Sequence, residues 1–474
     1  MIFLPLSFVL SWLTGYLFVS SFLQPPLKNF WLKVCLAIGV GLGLSSCGFF
    51  ICLLIFGSSS NTFVVLDLLL LISSIAFFAY TIKKQSPSIE IEEEAEANPV
   101  ATSREWSILA AFLLLMAAGF GAFFLLKSFR APHGYIDAFA IWNMRAKFIF
   151  RGGDLWRNGF SVLDWSHPDY PLLLPALVVR FWKYVGDEST IIPIFVALCF
   201  TFATIGLLYT ALSLLRSKSQ ALLAAMLLLS TPFFMQNGVN QTADVPISFF
   251  FLSTIVLLAL NERISAQTAN HSLLFLAGIT AGFSAWTKNE GALFLLSILV
   301  VTFLAVTARK GWNAAIKQLA PFWLGMLPIL LIVFYFKTQL APDNDILSSE
   351  RSLLLFAKIM DPARHLKVGQ ALLTHLFRFN HYSWIVLLLY AWLVGINPKI
   401  KSTPITVFAM TSFILILIAY YCIYLITPFN LDWHLASSLD RLLLQLWPSV
   451  LFVFFLFVNT PEEIMIKGKG RQLA

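Results

Sequence analysis

Residues 134–154, GYIDAFAIWNMRAKFIFRGGD, set two aspartates, two arginines and a lysine just after the apolar run SILAAFLLLMAAGFGAFFLL. An acid at the apolar start of such a segment is costly beside a membrane unless it is paired or functional. Asp137 is that acid, and a carboxylate so placed is the type of group that serves as a general base. The flanking Phe139, Trp142, Phe148 and Phe150 suit a headgroup layer, and Arg145 and Lys147 can snorkel. The segment is therefore expected to be a helix lying in the membrane interface.

Three further stretches carry reactive side chains. In WSHPDYPLLLPALVVRFWKYVG the prolines fix an extended entry to a re-entrant apolar helix, with His167, Asp169 and Tyr170 at its mouth. His167 and Asp169 have metal-compatible chemistry, but two ligands are a thin signal. A divalent ion stays an open alternative. In TADVPISFFFL, Asp244 stands at a helix start, where it either caps the helix or contributes to a site. Lys288, in SAWTKNEGALF, and Arg441, in SSLDRLLLQLWP, are cations at helix ends that can hold a phosphate. Ion pairs with the neighbouring Glu290 and Asp440 are the structural alternative, and exposed pairs of that kind contribute little.

The elements that must position these residues are apolar helices. The chain has 474 residues, 59% hydrophobic and only 12% charged, where soluble domains carry about 25% charge. Runs long enough to approach a bilayer span occur near 2–23, 34–56, 61–82, 107–127, 190–215, 220–236, 244–261, 272–287, 291–308, 320–337, 382–396, 404–427 and 442–459, about 13 in all. The expected fold is an all-α polytopic membrane protein. Its expected parts are N-terminal helices 1–84, an acidic linker 85–105, a module 106–337 with a large outer loop 128–189, a second outer loop 338–381, and C-terminal helices with a basic tail, 382–474. Asp67, in FVVLDLLL, is the one acid read as intramembrane, and is expected to be protonated or bonded to its own helix.

Cation placement sets orientation. With the N-terminus outside, the inner loops hold Lys28 and Lys33; Lys83, Lys84 and Arg104; Arg216 and Lys218; Arg263; Arg309, Lys310 and Lys317; Lys399 and Lys401; and the tail Lys467, Lys469 and Arg471. The short outer loops hold only Lys288 and Arg441. Asp137, His167, Asp169, Asp244 and Glu290 then share the outer face. The net charge of +8 follows from the inner loops and gives no reason to expect nucleic acid, since there is no basic soluble domain. The five cysteines all lie in apolar runs and suggest neither a disulfide framework nor a metal cluster. MIFLPLSFVLSWLTGYLF lacks a basic leading segment and reads as a retained helix.

An Asp-bearing interfacial helix, Gly152-Gly153-Asp154, His-Pro-x-Tyr-Pro-Leu-Leu, LLAAMLLLSTPFFMQ, Ala-Asp-Val-Pro and Trp-Thr-Lys follow one another in order. This succession resembles the GT-C superfamily of polyprenyl-phosphate-sugar glycosyltransferases, with the protein O-mannosyltransferases and lipid A aminoarabinose transferases as the nearest kinds. The likeness runs from about 107 to 310, with an echo at DRLLLQLWP. It implies a catalytic acid in the first outer loop, matched by Asp137. Family members often carry two adjacent acids there, and here the second position is Ala138. Residues 1–105 have no counterpart.

The resemblance implies transfer from a polyprenyl-phosphate sugar to an extracytoplasmic glycan, lipid or protein, by a multi-pass enzyme of the plasma (inner) membrane. Asp137 would activate the acceptor hydroxyl. Lys288, Arg441 and Arg145 would hold the departing phosphate, and His167, Asp169, Tyr170, Asp244 and Glu290 would bind substrate or support the site. Direct displacement inverts the anomeric carbon, whereas double displacement needs a second carboxylate about 5 Å away. A lipid-linked oligosaccharide ligase or polymerase has a similar outline. A flippase or transporter of lipid-linked glycans would be expected to show mid-membrane charge and internal repeats, which the sequence does not display.

Overall fold

The computed structural model describes residues 3–23, 29–84, 103–160, 166–265, 272–344, 352–397 and 404–465. The greater part of the acidic linker and the cations Lys28, Lys399, Lys401, Lys467, Lys469 and Arg471 lie outside the described residues. What is described is helical, with no β-strand beyond one isolated bridge between Ile396 and Val458.

The N-terminal helices are α1 (Phe3–Phe22), α2 (Phe30–Phe56), α3 (Phe63–Lys84) and α4 (Ser103–Arg130). A π-helical turn, Ala138–Trp142, leads into α5 (Asn143–Arg151), and a 3-10 turn, Gly153–Phe160, follows it. Next come α6 (Leu173–Val185), α7 (Ile191–Leu215), α8 (Lys218–Leu229), α9 (Pro232–Val239), α10 (Asp244–Ser265), α11 (Ser272–Thr287), α12 (Asn289–Lys310) and α13 (Trp312–Gln339). The remainder are α14 (Ser352–Met360), α15 (Pro362–Arg378), α16 (His381–Val394), α17 (Pro404–Ile426) and α18 (Leu431–Phe457).

Among the described residues, 10 helices are long and apolar enough to cross a membrane. The pair α8 and α9, bent by 67° at Thr231-Pro232, supplies an eleventh if taken as one span. The short apolar helices α11 and α16 account for the remaining runs of the sequence. Proline suits the first turn of α9 and ends the preceding helix, since it has no N–H to continue the ladder.

Burial sorts the helices by role. The apolar window of α10 is 94% buried, so this helix is the axis of the bundle, whereas α3 and α4 are 17% and 11% buried and turn most of their apolar surface outward. A helix that is apolar all round belongs in a core or in lipid. Helices α11 and α13 pack closely because glycine meets backbone on both sides. A Cβ at Gly278 would overlap the Phe322 carbonyl, and one at Gly325 the Phe275 carbonyl. Packing through small residues is the usual device where lipid gives no hydrophobic drive between helices.

Asp67 corrects the sequence expectation. It is neither alone nor bonded to its own helix. Its carboxylate is buried and lies 2.9 Å from the Arg180 guanidinium of α6, while the Tyr184 hydroxyl donates to it at 2.8 Å. The α2–α3 turn also joins α5, through the Ser58 hydroxyl bonded to the Ile149 carbonyl at 2.6 Å. Residues 58–67, 130–160, 166–190, 240–244, 288–290, 337–344 and 427–441 are gathered by such contacts at one end of the bundle. The opposite end ties Arg216, Gln220 and Arg263 to the carbonyls of Val458, Asn459 and Leu214.

Candidate functional site

Asp137 sits at the entrance of the π-helical turn that precedes α5. The chain reaches it through Gly134, whose φ of +73° is a left-handed conformation open to glycine. The Tyr135 N–H donates to the Asn240 carbonyl at 3.2 Å, and the Gln241 amide donates to the Pro132 carbonyl at 3.1 Å. These bonds pin the loop to the α9–α10 junction, so Asp137 is set over the start of α10.

There it meets Arg441, 304 positions later. Arg441 Nη1 donates to Asp137 Oδ2 at 2.5 Å, and Arg441 Nε donates to Asp244 Oδ2 at 2.8 Å. The other oxygen of Asp244 accepts from Lys288 Nζ at 3.2 Å and from Gln445 Nε2 at 2.8 Å. Lys288 Nζ in turn lies 2.6 Å from Glu290 Oε1. Five charged groups from four parts of the chain thus form one network. Burial opposes the charge on Lys288, but Asp244 and Glu290 outweigh it and hold the ammonium above its ordinary value. Exposure is graded across the network. The side chains of Asp137 and Arg441 are each 23% exposed, Glu290 16%, Lys288 5% and Asp244 0%. The accessible rim therefore consists of Asp137, Arg441 and Glu290.

A sharp α11–α12 corner delivers Lys288. Gly291 makes it possible, because a Cβ there would run into the Ser284 carbonyl. Of the two local ion pairs that stood as the structural alternative, Lys288 with Glu290 forms. Arg441 turns away from Asp440, and Asp440 instead accepts from His375 Nδ1 of α15 at 2.7 Å.

Tyr170 closes one side. Its ring stacks between Trp142, at 5.6 Å, and His167, at 4.9 Å, and Lys288 Nζ stands 5.9 Å from its centre. Burial pushes the Tyr170 phenol well above its usual range, so it is a neutral hydroxyl. Asp169 Oδ2 accepts from Asn289 and Asn344, each at 2.7 Å, and Lys337 Nζ donates to the Asp169 carbonyl and to Asn289 Oδ1. Asn344, Lys337 and Gln445 had no place in the sequence reading. Gln445 carried a signal all the same, since it lies four positions after Arg441 and so on the same helix face.

The expectation for Arg145 is corrected. It does not snorkel, and its guanidinium does not face the rim. Its side chain is buried and donates to the carbonyls of Ser166 at 2.6 Å, His167 at 2.7 Å and Tyr170 at 3.2 Å. Burial lowers the guanidinium to about 10, with Asp169 and Tyr170 opposing. Arg145 is thus a clamp that shapes the 166–170 loop, in which His167 holds a strained φ of 41°. Trp142 is likewise buried, so much of the expected interfacial helix is packed inward. Phe139 and Phe148 keep outward exposure. Among the described residues no three of His, Cys, Asp and Glu converge as metal ligands do.

Residues 166–336 match the family model described as dolichyl-phosphate-mannose-protein mannosyltransferase, a GT-C superfamily domain. The chain resembles that superfamily over this stretch, which holds His167, Asp169, Tyr170, Asp244, Lys288 and Glu290. The match supports a membrane glycosyltransferase of the GT-C type, carried on a multi-pass helical bundle. No curated protein and no solved structure gives a significant match.

Proposed function

We propose that this membrane glycosyltransferase takes a sugar from a polyprenyl-phosphate donor and passes it to an acceptor hydroxyl on the extracytoplasmic face of the plasma membrane, with inversion. The observation that carries the reading is the 2.5 Å contact between Asp137 and Arg441 over the buried Asp244–Lys288 pair. In an in-line displacement the acceptor oxygen and the leaving phosphate lie on opposite faces of one carbon, so a base and a phosphate anchor must belong to one site and part when the donor binds between them. Here the two groups hold each other. A donor phosphate competes for the Arg441 guanidinium, which has five N–H donors in a planar fork. As Arg441 turns to the phosphate, Asp137 is released to take the proton of the acceptor hydroxyl. That hydroxyl attacks the anomeric carbon, the carbon–oxygen bond to phosphate breaks, and the phosphate leaves with the electron pair against Arg441, with the buried Lys288 ammonium behind it.

Inversion is supported by the state of Asp244. Both of its oxygens are bonded and it is fully buried, so it is closed to a covalent role. His167, Asp169 and Tyr170 are proposed to shape the wall of the site. Asp137→Asn keeps the shape and most of the hydrogen bonding but removes the base. Turnover of a polyprenyl-phosphate sugar, read as release of polyprenyl phosphate by purified protein, should fall about 10²–10⁴-fold. Unchanged turnover would sink the mechanism.

A further inference from the structure

Among the buried polar atoms with no hydrogen-bond partner in the described residues are three from helices that meet at the charged network. They are Glu290 Oε2, the Tyr420 hydroxyl and Gln445 Oε1. Each comes from a different helix, α12, α17 and α18. Tyr420 is 1% exposed and Gln445 0%. Buried polar groups left unpaired are destabilising and uncommon, so three around one network call for a cause.

The geometry of each atom is fixed by its neighbours. Glu290 Oε1 holds Lys288, which leaves Oε2 to face elsewhere. The Gln445 amide must turn its NH₂ toward the Asp244 carboxylate, an acceptor, so its carbonyl oxygen points away. Helix α17, which carries Tyr420, packs against both α12 and α18, the helices that carry Glu290 and Gln445. Tyr424 also fixes the level of Tyr420. Its hydroxyl bonds Ser438 at 2.7 Å across two helices joined by a short turn. One helical turn further from that contact, about 5.4 Å along each axis, lie Tyr420 on α17 and Arg441 on α18. Tyr420 therefore stands level with Arg441.

We propose that Glu290 Oε2, the Tyr420 hydroxyl and Gln445 Oε1 read the ring hydroxyls of the donor sugar. Two of the three atoms are acceptors only, and a phenol can accept as well as donate. Such a set repels phosphate and welcomes groups that donate, as adjacent sugar hydroxyls do. Its place favours the donor's sugar over the acceptor. Glu290 is bonded to Lys288, and Gln445 lies one turn from Arg441, so the group attached to a phosphate held by these cations falls beside the three atoms. This inference rests on the proposed donor class. Tyr420 and Gln445 lie beyond the residues covered by the family match.

The test is Tyr420→Phe, with Tyr424→Phe as its control. Binding in detergent is measured for polyprenyl-phosphate mannose, glucose, galactose, arabinose and aminoarabinose, and for bare polyprenyl phosphate. Thermal unfolding is followed alongside. The sugar lipid that the unaltered protein prefers is carried forward. Tyr420→Phe should weaken that lipid about tenfold, as expected for one lost hydrogen bond, leave bare polyprenyl phosphate unchanged, and unfold no earlier than the unaltered protein. Tyr424→Phe, which breaks the bond to Ser438, should unfold earlier and keep the preference. If Tyr420→Phe retains the full sugar preference, the subsite is wrong and these atoms hold only water. An equal loss for bare polyprenyl phosphate overturns it too. Should the unaltered protein prefer no sugar lipid over polyprenyl phosphate, the donor reading and the subsite fall together.

Discussion

Arg441 is the residue on which the site turns, since among the described residues it alone touches both Asp137 and Asp244. Its planar fork suits two carboxylates at rest and a phosphate in turnover. Arg441→Lys should lower donor affinity by about 1.5–3 kcal/mol, the range for one charge-assisted contact, because a single ammonium cannot grip phosphate at two points. Donor binding measured in detergent checks this, and an unchanged Kd would remove Arg441 from the phosphate site. Arg145→Met should act differently. It strands three loop carbonyls, so turnover falls through a displaced Tyr170 while the affinity for bare polyprenyl phosphate changes little. In the sequence, Lys288 and Arg441 stood out by rarity in the short outer loops, Asp137 by its apolar setting and Asp244 as a helix start, and the structure brings the four into contact. Their partners were not legible in the sequence. Neighbours on a helix point about 100° apart, so Arg441 beside Asp440 in the chain says nothing of contact between them. Arg145 was misread for a related reason, since a cation among aromatic residues looks the same whether it snorkels or clamps.

At the scale of elements, α6 carries the 166–172 loop into the bundle and is itself moored to α3 by Asp67 and Arg180. Asp67→Leu leaves a buried guanidinium without its carboxylate and should cost about 3–5 kcal/mol, whereas Asp67→Leu with Arg180→Met should recover much of that loss. Thermal unfolding in detergent of both variants decides it, and equal melting of the single and double variants would mean the pair is not what holds α6. The apolar runs marked out the spans because lipid demands about 20 residues of them. The π-helical turn at Ala138–Trp142, and the helices α14 and α15 inside the second loop, left no such mark. They are set by contacts with distant segments, such as the His375–Asp440 bond. The bend between α8 and α9 was legible only as a proline.

For the whole molecule, the proposed function puts the end holding Asp137, Lys288 and Arg441 outside the cell, in keeping with the cation pattern of the sequence. A cysteine at Asp187 should then react with an impermeant maleimide from outside intact cells, and one at Ser217 only after permeabilisation. The reverse pattern would invert the proposed catalytic face. The pairing of Asp137 with a residue 304 positions later also has a consequence for biogenesis. Spans enter the membrane in order of synthesis, at roughly 5–20 residues per second. Asp244 and Lys288 are in place while α18 is still unmade. Until α18 is made, Asp137 and Asp244 therefore lack the Arg441 guanidinium, and an intermediate without that helix is expected to be a target of quality-control proteases. Ending the chain before residue 431 should shorten its lifetime in cells, and supplying α18 as a separate segment should lengthen it again.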